Sequence, residues 1–263
     1  MVSETILGDI SILFQMVMLF FCLVSSVVLI KESNRSLASV FLTFCFAIYL
    51  LDEVYWLTYT LLRPDVRMPF AANEIGEASL FLLFASTLRA AIRLPYAASL
   101  KCTIGIILFS LCNTILWIIW TGEYIQDIMI GITFTYFLYT ILSAIEFRQA
   151  LKRYMWIVLT LCSTLIIILQ ISTILSEGNI KNTIDLSAYI LMLALVIFIG
   201  VIFFSSWKKK SPEVLLCQNY LLFGCILTVK YMSDGIWYII FQLMETIAFA
   251  FLYLSVRKVV GKE

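Results

Sequence analysis

The chain is a series of long apolar stretches separated by short polar gaps. Nine stretches of roughly 20 residues are present, and each is long enough to cross a ~30 Å hydrocarbon layer as an α-helix. They cover residues 8–30, 37–61, 71–93, 102–121, 127–147, 154–175, 185–206, 214–232 and 236–256. The pattern therefore predicts an all-α fold, a polytopic transmembrane helix bundle with nine spans.

The boundary between the last two stretches leaves the number of spans open between eight and nine. Lys230 and Asp234 flank this boundary, and they would suit either a tight turn or an element that interrupts a single helix. Eight spans would place the C-terminus outside, although Arg257 and Lys258 are basic and basic residues stay on the cytoplasmic side. We therefore predict nine spans.

The charged residues divide between the two sides of the predicted membrane. Alternate gaps hold 14 of the 18 Lys and Arg residues and 4 of the 17 Asp and Glu residues, while the opposite gaps and helix ends hold 4 basic and 12 acidic residues. This distribution predicts a multi-pass protein of the cell membrane with its N-terminus outside and its C-terminus in the cytoplasm. The run Lys208–Lys210 is typical of an orientation signal that contacts anionic lipids. Acidic residues contribute little to orientation, so orientation does not explain why acidic residues concentrate on the outer side.

Composition narrows the class of protein further. Apolar residues make up 62% of the chain and charged residues 13%, outside the range of soluble domains. Because the polar gaps are short, we expect residues 1–263 to form a single transmembrane domain with no soluble domain.

Motifs and missing residue types exclude several kinds of chemistry. The sequence contains no Gly-rich phosphate loop and no histidine. The lack of histidine excludes His-ligated haem, His-based zinc sites and Ser-His or Cys-His catalysis. We expect no metal site, no cofactor and no nucleic-acid partner.

One group of polar residues surrounds the predicted outer loop between the second and third spans. Asp52, Glu53 and Trp56 lie on the last turns of the second span, deeper than helix capping requires. Glu74 and Glu77 lie three residues apart at the start of the third span and share one helical face. Charged groups within a span usually face a bundle interior, a partner or water. These residues therefore predict an acidic vestibule at the outer face.

A second group follows one face of the last span. Asp234, Tyr238, Gln242 and Glu245 recur at spacings of four, four and three residues, and Lys230 precedes them at the depth of Asp234. Glu245 lies about 16 Å below Asp234 by the helical rise, close to the bilayer centre. A carboxylate at that depth is protonated, paired or hydrogen-bonded.

Both groups also have a purely structural interpretation. Acidic residues at a helix N-terminus favour the helix dipole, so Glu74 and Glu77 could serve the third helix alone. Glu245 could be a proton- or cation-linked site, a ligand contact, or a neutral link between helices. The candidate partners for a neutral link are Gln15, Asn113, Gln170 and Asn219.

Three hypotheses for function follow, and we rank a non-enzymatic protein first. It would bind, sense or transport a small cationic or amphipathic ligand from the outer face, because an acidic vestibule concentrates cations. The second hypothesis is a membrane-embedded enzyme that processes a lipid or isoprenoid with carboxylates as acid and base. The third is a scaffold subunit that binds another membrane protein or a second copy of the chain. The candidate ligand-binding residues are Asp52, Glu53, Trp56, Glu74, Glu77, Lys230, Asp234, Tyr238, Gln242 and Glu245.

Overall fold

A computed structural model describes residues 2–33, 36–62, 73–94, 97–122 and 124–261, and it is helical without strands in these ranges. Nine helices are described, each long and apolar enough to cross a membrane, which indicates an integral membrane protein. They are α1 (Val2–Glu32), α2 (Leu37–Leu62), α3 (Asn73–Ile92), α4 (Leu100–Thr121), α5 (Tyr124–Arg148), α6 (Arg153–Ile174), α7 (Gly178–Ser206), α8 (Pro212–Tyr231) and α9 (Gly235–Val260). The prediction of nine helices, with separate α8 and α9, is confirmed.

Several helices extend beyond the apolar stretches that predicted them. α7 begins at Gly178 rather than at 185, so most of the polar gap 176–185 is helical. α1 begins at Val2 rather than at 8, and α9 ends at Val260 rather than at 256. Apolar length marks the hydrocarbon layer, whereas a helix ends where its backbone hydrogen bonds end. Glu177, just before α7, is extended, and Gly178, the first residue of α7, has φ +58°.

α8 is the most buried of the described helices, and it packs against α3, α5, α7 and α9. A helix in this position does not face lipid, so it can carry polar side chains whose partners lie inside the bundle. Gln218 Nε2 donates to the backbone oxygen of Ala150 at 2.8 Å. Asn219 Nδ2 donates to Ser255 Oγ at 3.1 Å. The polar character of α8 is therefore a consequence of its central place.

Phenylalanine side chains fill the bundle where α2, α3, α8 and α9 meet. The rings of Phe84 and Phe223 lie 4.8 Å apart, and those of Phe223 and Phe249 lie 5.4 Å apart, measured between centroids. Phe46 packs edge-on against Phe249 at 6.1 Å. All four side chains are fully buried. Edge-to-face contacts of this kind add to the stability that apolar burial supplies.

Candidate functional site

A buried ion pair joins α8 to α9. Lys230 Nζ lies 2.8 Å from Glu245 Oε2, and the side chains are 5% and 0% exposed. Tyr49 of α2 donates its hydroxyl to Glu245 Oε1 at 2.5 Å and accepts from Lys230 Nζ at 3.0 Å. Gln15 of α1 donates to Glu245 Oε2 at 3.1 Å. One carboxylate thus holds together groups from four helices.

The turn between α8 and α9 explains why Lys230 and Glu245 meet. Residues 232–234 connect the two helices, so α9 returns alongside α8. Lys230 lies next to the last residue of α8, while Glu245 lies about 15 Å along α9 by the helical rise. Lysine and glutamate have long side chains, which helps the two groups to meet although their backbones lie at different positions along the helices.

A chain of amide groups continues from Glu245 between α1 and α9. Gln242 Nε2 donates to Gln15 Oε1 at 2.8 Å, and Ser11 Oγ donates to Gln242 Oε1 at 2.8 Å. Gln15, Gln242 and Ser11 are all buried. Since each bond satisfies a buried polar atom, the network holds α1 and α9 in one register.

A cavity of about 50 Å³ adjoins this network. Its volume suits a few water molecules or one small cation. Among the described residues, the lining carries three carboxylates and one ammonium group. The lining residues are Ile12, Tyr49, Asp52, Glu53, Trp56, Glu77, Lys230, Tyr231, Tyr238 and Gln242.

Three tyrosine rings surround the ammonium of Lys230. Its Nζ lies 5.7 Å from the ring centroid of Tyr49, 5.5 Å from that of Tyr231 and 5.7 Å from that of Tyr238. A cation within about 6 Å of a ring centroid is attracted by the ring quadrupole. The site therefore holds a cation by a carboxylate, a phenol oxygen and three aromatic rings.

Gly76 allows α3 to approach the carboxylate of Asp52. A Cβ built on Gly76 would lie 3.1 Å from Asp52 Oδ1. This is tighter than an ordinary van der Waals contact, so a side chain here would displace the carboxylate. Glu77 follows Gly76 directly and lines the cavity from α3. The close approach of α2 and α3 thus places Asp52 and Glu77 at one cavity.

The structure brings together most of the residues that the sequence nominated. Those that line the cavity are Asp52, Glu53, Trp56, Glu77, Lys230, Tyr238 and Gln242. Glu245 contacts two of the lining residues, Lys230 and Tyr49. The side chain of Glu74 and the predicted loop 63–70 lie outside the described residues.

Asp234 lies elsewhere and bonds to α7. Its Oδ1 accepts from the hydroxyl of Tyr189 at 2.7 Å. Asp234 has an extended backbone and precedes the first residue of α9, Gly235. The helical spacing that unites Tyr238, Gln242 and Glu245 therefore does not extend to Asp234, because a face is shared only by residues inside the helix.

Sequence reasoning missed Ile12, Tyr49 and Tyr231 of the site, and it named Gln15 only as a candidate partner of Glu245. Tyr49 precedes Glu53 by four residues, so the helical repeat of α2 could have assigned it to the same face. Gln15 was one of four candidate partners of Glu245, and no sequence pattern selects it. Tyr231 follows Lys230 directly and lines the cavity beside it. The ionic partner of Glu245 was also missed, because Lys230 was assigned to the depth of Asp234.

The described residues contain no group of three or more Asp, Glu, Cys or His side chains placed to hold a metal ion. Comparison of the chain with protein-family models, curated proteins and solved structures found no match. The function must therefore be inferred from the chemistry of the cavity and its ion pair.

Proposed function

We propose that this is a non-enzymatic protein of the cell membrane that binds a small cationic ligand in the cavity between α2, α3, α8 and α9. The observation that supports the proposal is the charge of the lining. Asp52, Glu53 and Glu77 contribute three carboxylates, while the one ammonium, that of Lys230, is bonded to a fourth carboxylate, Glu245. A cavity with this excess of acidic groups attracts cations.

The surroundings of Lys230 support a ligand with an ammonium-type head. The Lys230 ammonium is bound by Glu245 and lies among aromatic rings, the two kinds of group that recognise ammonium ions in proteins. A small ligand with an ammonium head group can make the same contacts with a carboxylate and with aromatic rings. We infer that such a ligand binds at Glu53 and its neighbours and competes with Lys230 for Glu245.

The phenylalanine cluster supports a site that is reached from one end of the bundle. Tyr49 packs against Phe249 with 4.9 Å between ring centroids, so the polar cavity meets the apolar cluster directly. Phe46 and Phe223 continue that cluster. A layer of packed aromatic side chains next to the ion pair leaves no room for an open pore at this position in this conformation. It favours a binding site, as a sensor or a transporter has.

Ligand binding at this position would affect several helices at once. Glu245 is bonded to groups on α1, α2 and α8. A ligand that displaces Lys230 changes these contacts together, and a differential contact between two arrangements is what shifts a conformational equilibrium. By the predicted orientation, the ligand would enter from the outer face.

Calorimetric titration of the purified protein in nanodiscs tests the proposal. The probes are sodium, potassium, methylammonium and tetramethylammonium chlorides at constant ionic strength. We expect saturable binding of at least one probe, and about tenfold weaker binding, or 1.4 kcal/mol, in Glu53→Gln. Glu177→Gln is the matched control, because Glu177 is an exposed carboxylate that does not line the cavity. Absence of saturable binding by every probe, or equal loss in both variants, would overturn the proposal.

A further inference from the structure

A second and much larger cavity lies between α4, α5, α6 and α8. Its volume is about 940 Å³, near the upper end of ligand-binding pockets. It shares no lining residue with the site around Lys230. Most of its wall is apolar and includes Phe109, Leu142, Leu159 and Leu221. We refer to this cavity as the α4–α6 groove.

One side of the α4–α6 groove is open at the surface of the helix bundle. Leu108 of α4 and Ile168 of α6 line the groove and are 57% and 52% exposed. Both lie inside helices of membrane-spanning length and composition. Because the exposed side lies at hydrocarbon depth, an apolar chain from the bilayer can enter sideways.

The groove has a charged end where α4 and α6 begin. Lys101 and Arg153 line it there, and both side chains are exposed. The nearby Glu146 accepts from the backbone nitrogen of Ser99 at 2.8 Å and from Ser99 Oγ at 2.7 Å. Glu146 thus caps the start of α4 with both oxygens. Glu146 also lines this end of the groove, which therefore has two cationic groups, one carboxylate and a net positive charge.

The groove is longer than one leaflet of a bilayer, since on α6 its lining runs from Arg153 to Ile168, about 22 Å by the helical rise. On α4 its lining runs from Lys101 to Cys112, which is about 16 Å by the helical rise. That length is about half of the ~30 Å hydrocarbon layer. A lipid whose phosphate lies at Lys101 would therefore have room for an acyl chain along the groove to the bilayer midplane and beyond.

We propose that the α4–α6 groove binds one anionic glycerophospholipid, with its phosphate at Lys101 and Arg153 and an acyl chain along the apolar wall. The cationic end of the groove complements an anionic head group, and its apolar wall complements an acyl chain. An anionic lipid is therefore preferred over a zwitterionic one. By the predicted orientation, the charged end faces the cytoplasmic leaflet, where anionic lipids are concentrated.

Native mass spectrometry tests this proposal with equimolar phosphatidylglycerol and phosphatidylcholine of matched acyl chains. We expect the protein to retain one phosphatidylglycerol in preference to phosphatidylcholine. Lys101→Gln/Arg153→Gln should reduce that preference about tenfold. Lys31→Gln/Lys181→Gln is the control, because it removes the same charge from exposed residues outside the groove. Equal retention of both lipids by the unmodified protein, or equal effects of the two double variants, would overturn the proposal.

A second variant tests whether the acyl chain occupies the groove. Gly105 lines the groove, and a Cβ built on it meets no atom within 4 Å, so Gly105→Leu fills space without a clash. We expect this variant to lose retained lipid several-fold. Gly8→Leu is the control, because Gly8 is equally open and lies outside the groove. Unchanged lipid retention in Gly105→Leu would contradict the proposal. A dimer of the protein in which no lipid is bound would contradict it as well.

Discussion

Lys230 and Glu245 form an ion pair inside the helix bundle, with 2.8 Å between Nζ and Oε2 and almost no exposure of either side chain. Charges this deep are stable only when they are paired and hydrogen-bonded. Tyr49 and Gln15 supply the remaining hydrogen bonds to the carboxylate. The pair therefore links the packing of four helices to the chemistry of the adjoining cavity.

Removal of one partner of this pair should destabilise the protein strongly. Glu245→Gln leaves the buried Lys230 ammonium without its bonded carboxylate, and the expected loss in free energy of unfolding is about 3–5 kcal/mol. Lys230→Gln/Glu245→Gln removes both charges and should recover most of that loss. Denaturant titration in detergent, followed by circular dichroism, measures both variants. A double variant as unstable as Glu245→Gln would contradict this interpretation.

The hydroxyl of Tyr49 should contribute to stability through its two charged neighbours. It donates to Glu245 and accepts from Lys230, and hydrogen bonds to charged groups contribute about 1.5–3 kcal/mol. Tyr49→Phe should therefore lower the free energy of unfolding by about that amount. Tyr136→Phe is a suitable control, since Tyr136 is exposed on α5. If both variants unfold at the same denaturant concentration, the Tyr49 bonds carry no net stability.

The contact between α4 and α5 should tolerate no added side chain at Gly131. A Cβ built there would overlap Thr114 Oγ1 and would lie 3.0 Å from Thr114 Cβ. Rotation of Thr114 leaves the second clash in place, so Gly131→Ala should cost about 1–3 kcal/mol through overpacking. Gly105→Ala is the control because it meets open space. The difference in thermal midpoint between the two variants measures the effect, and equal midpoints would refute it.

The predicted orientation can be tested by labelling of single cysteines. Starting from a variant without the seven native cysteines, Glu177→Cys and Lys209→Cys each introduce one exposed thiol at opposite ends of α7. Because basic residues stay inside, position 177 should react with a membrane-impermeant maleimide on intact cells. Position 209 should react only after permeabilisation. The reverse pattern would show that the N-terminus is cytoplasmic.

Hydrophobic length was sufficient to predict the helices but not their ends. Each span needs about 20 apolar residues whatever its neighbours are, so this requirement can be read from local sequence. The first turns of α7 were missed because residues 178–184 are mostly polar, although their backbone is helical. At a membrane boundary a polar segment can be helical, because water hydrates its side chains.

The candidate site was predicted as two groups, and their relation was left open. Asp52, Glu53 and Trp56 follow from the spacing on α2, while Tyr238 and Gln242 follow from the spacing on α9. Spacing along one helix says which residues share a face, but not which helix that face contacts. The packing of α2 and α3 against α8 and α9 places both groups around a single cavity.

The sequence by itself determined that the chain forms nine helices of membrane-spanning length, since apolar length is a local property. It also indicated that acidic and amide side chains lie inside some of these helices. Only the tertiary structure decided their partners. Glu245 was open to several roles, and the neighbouring helices assigned it to Lys230, Tyr49 and Gln15. The physical reason is that the role of a buried charge depends on the groups within hydrogen-bond distance of it. Here these groups belong to residues far away in the chain.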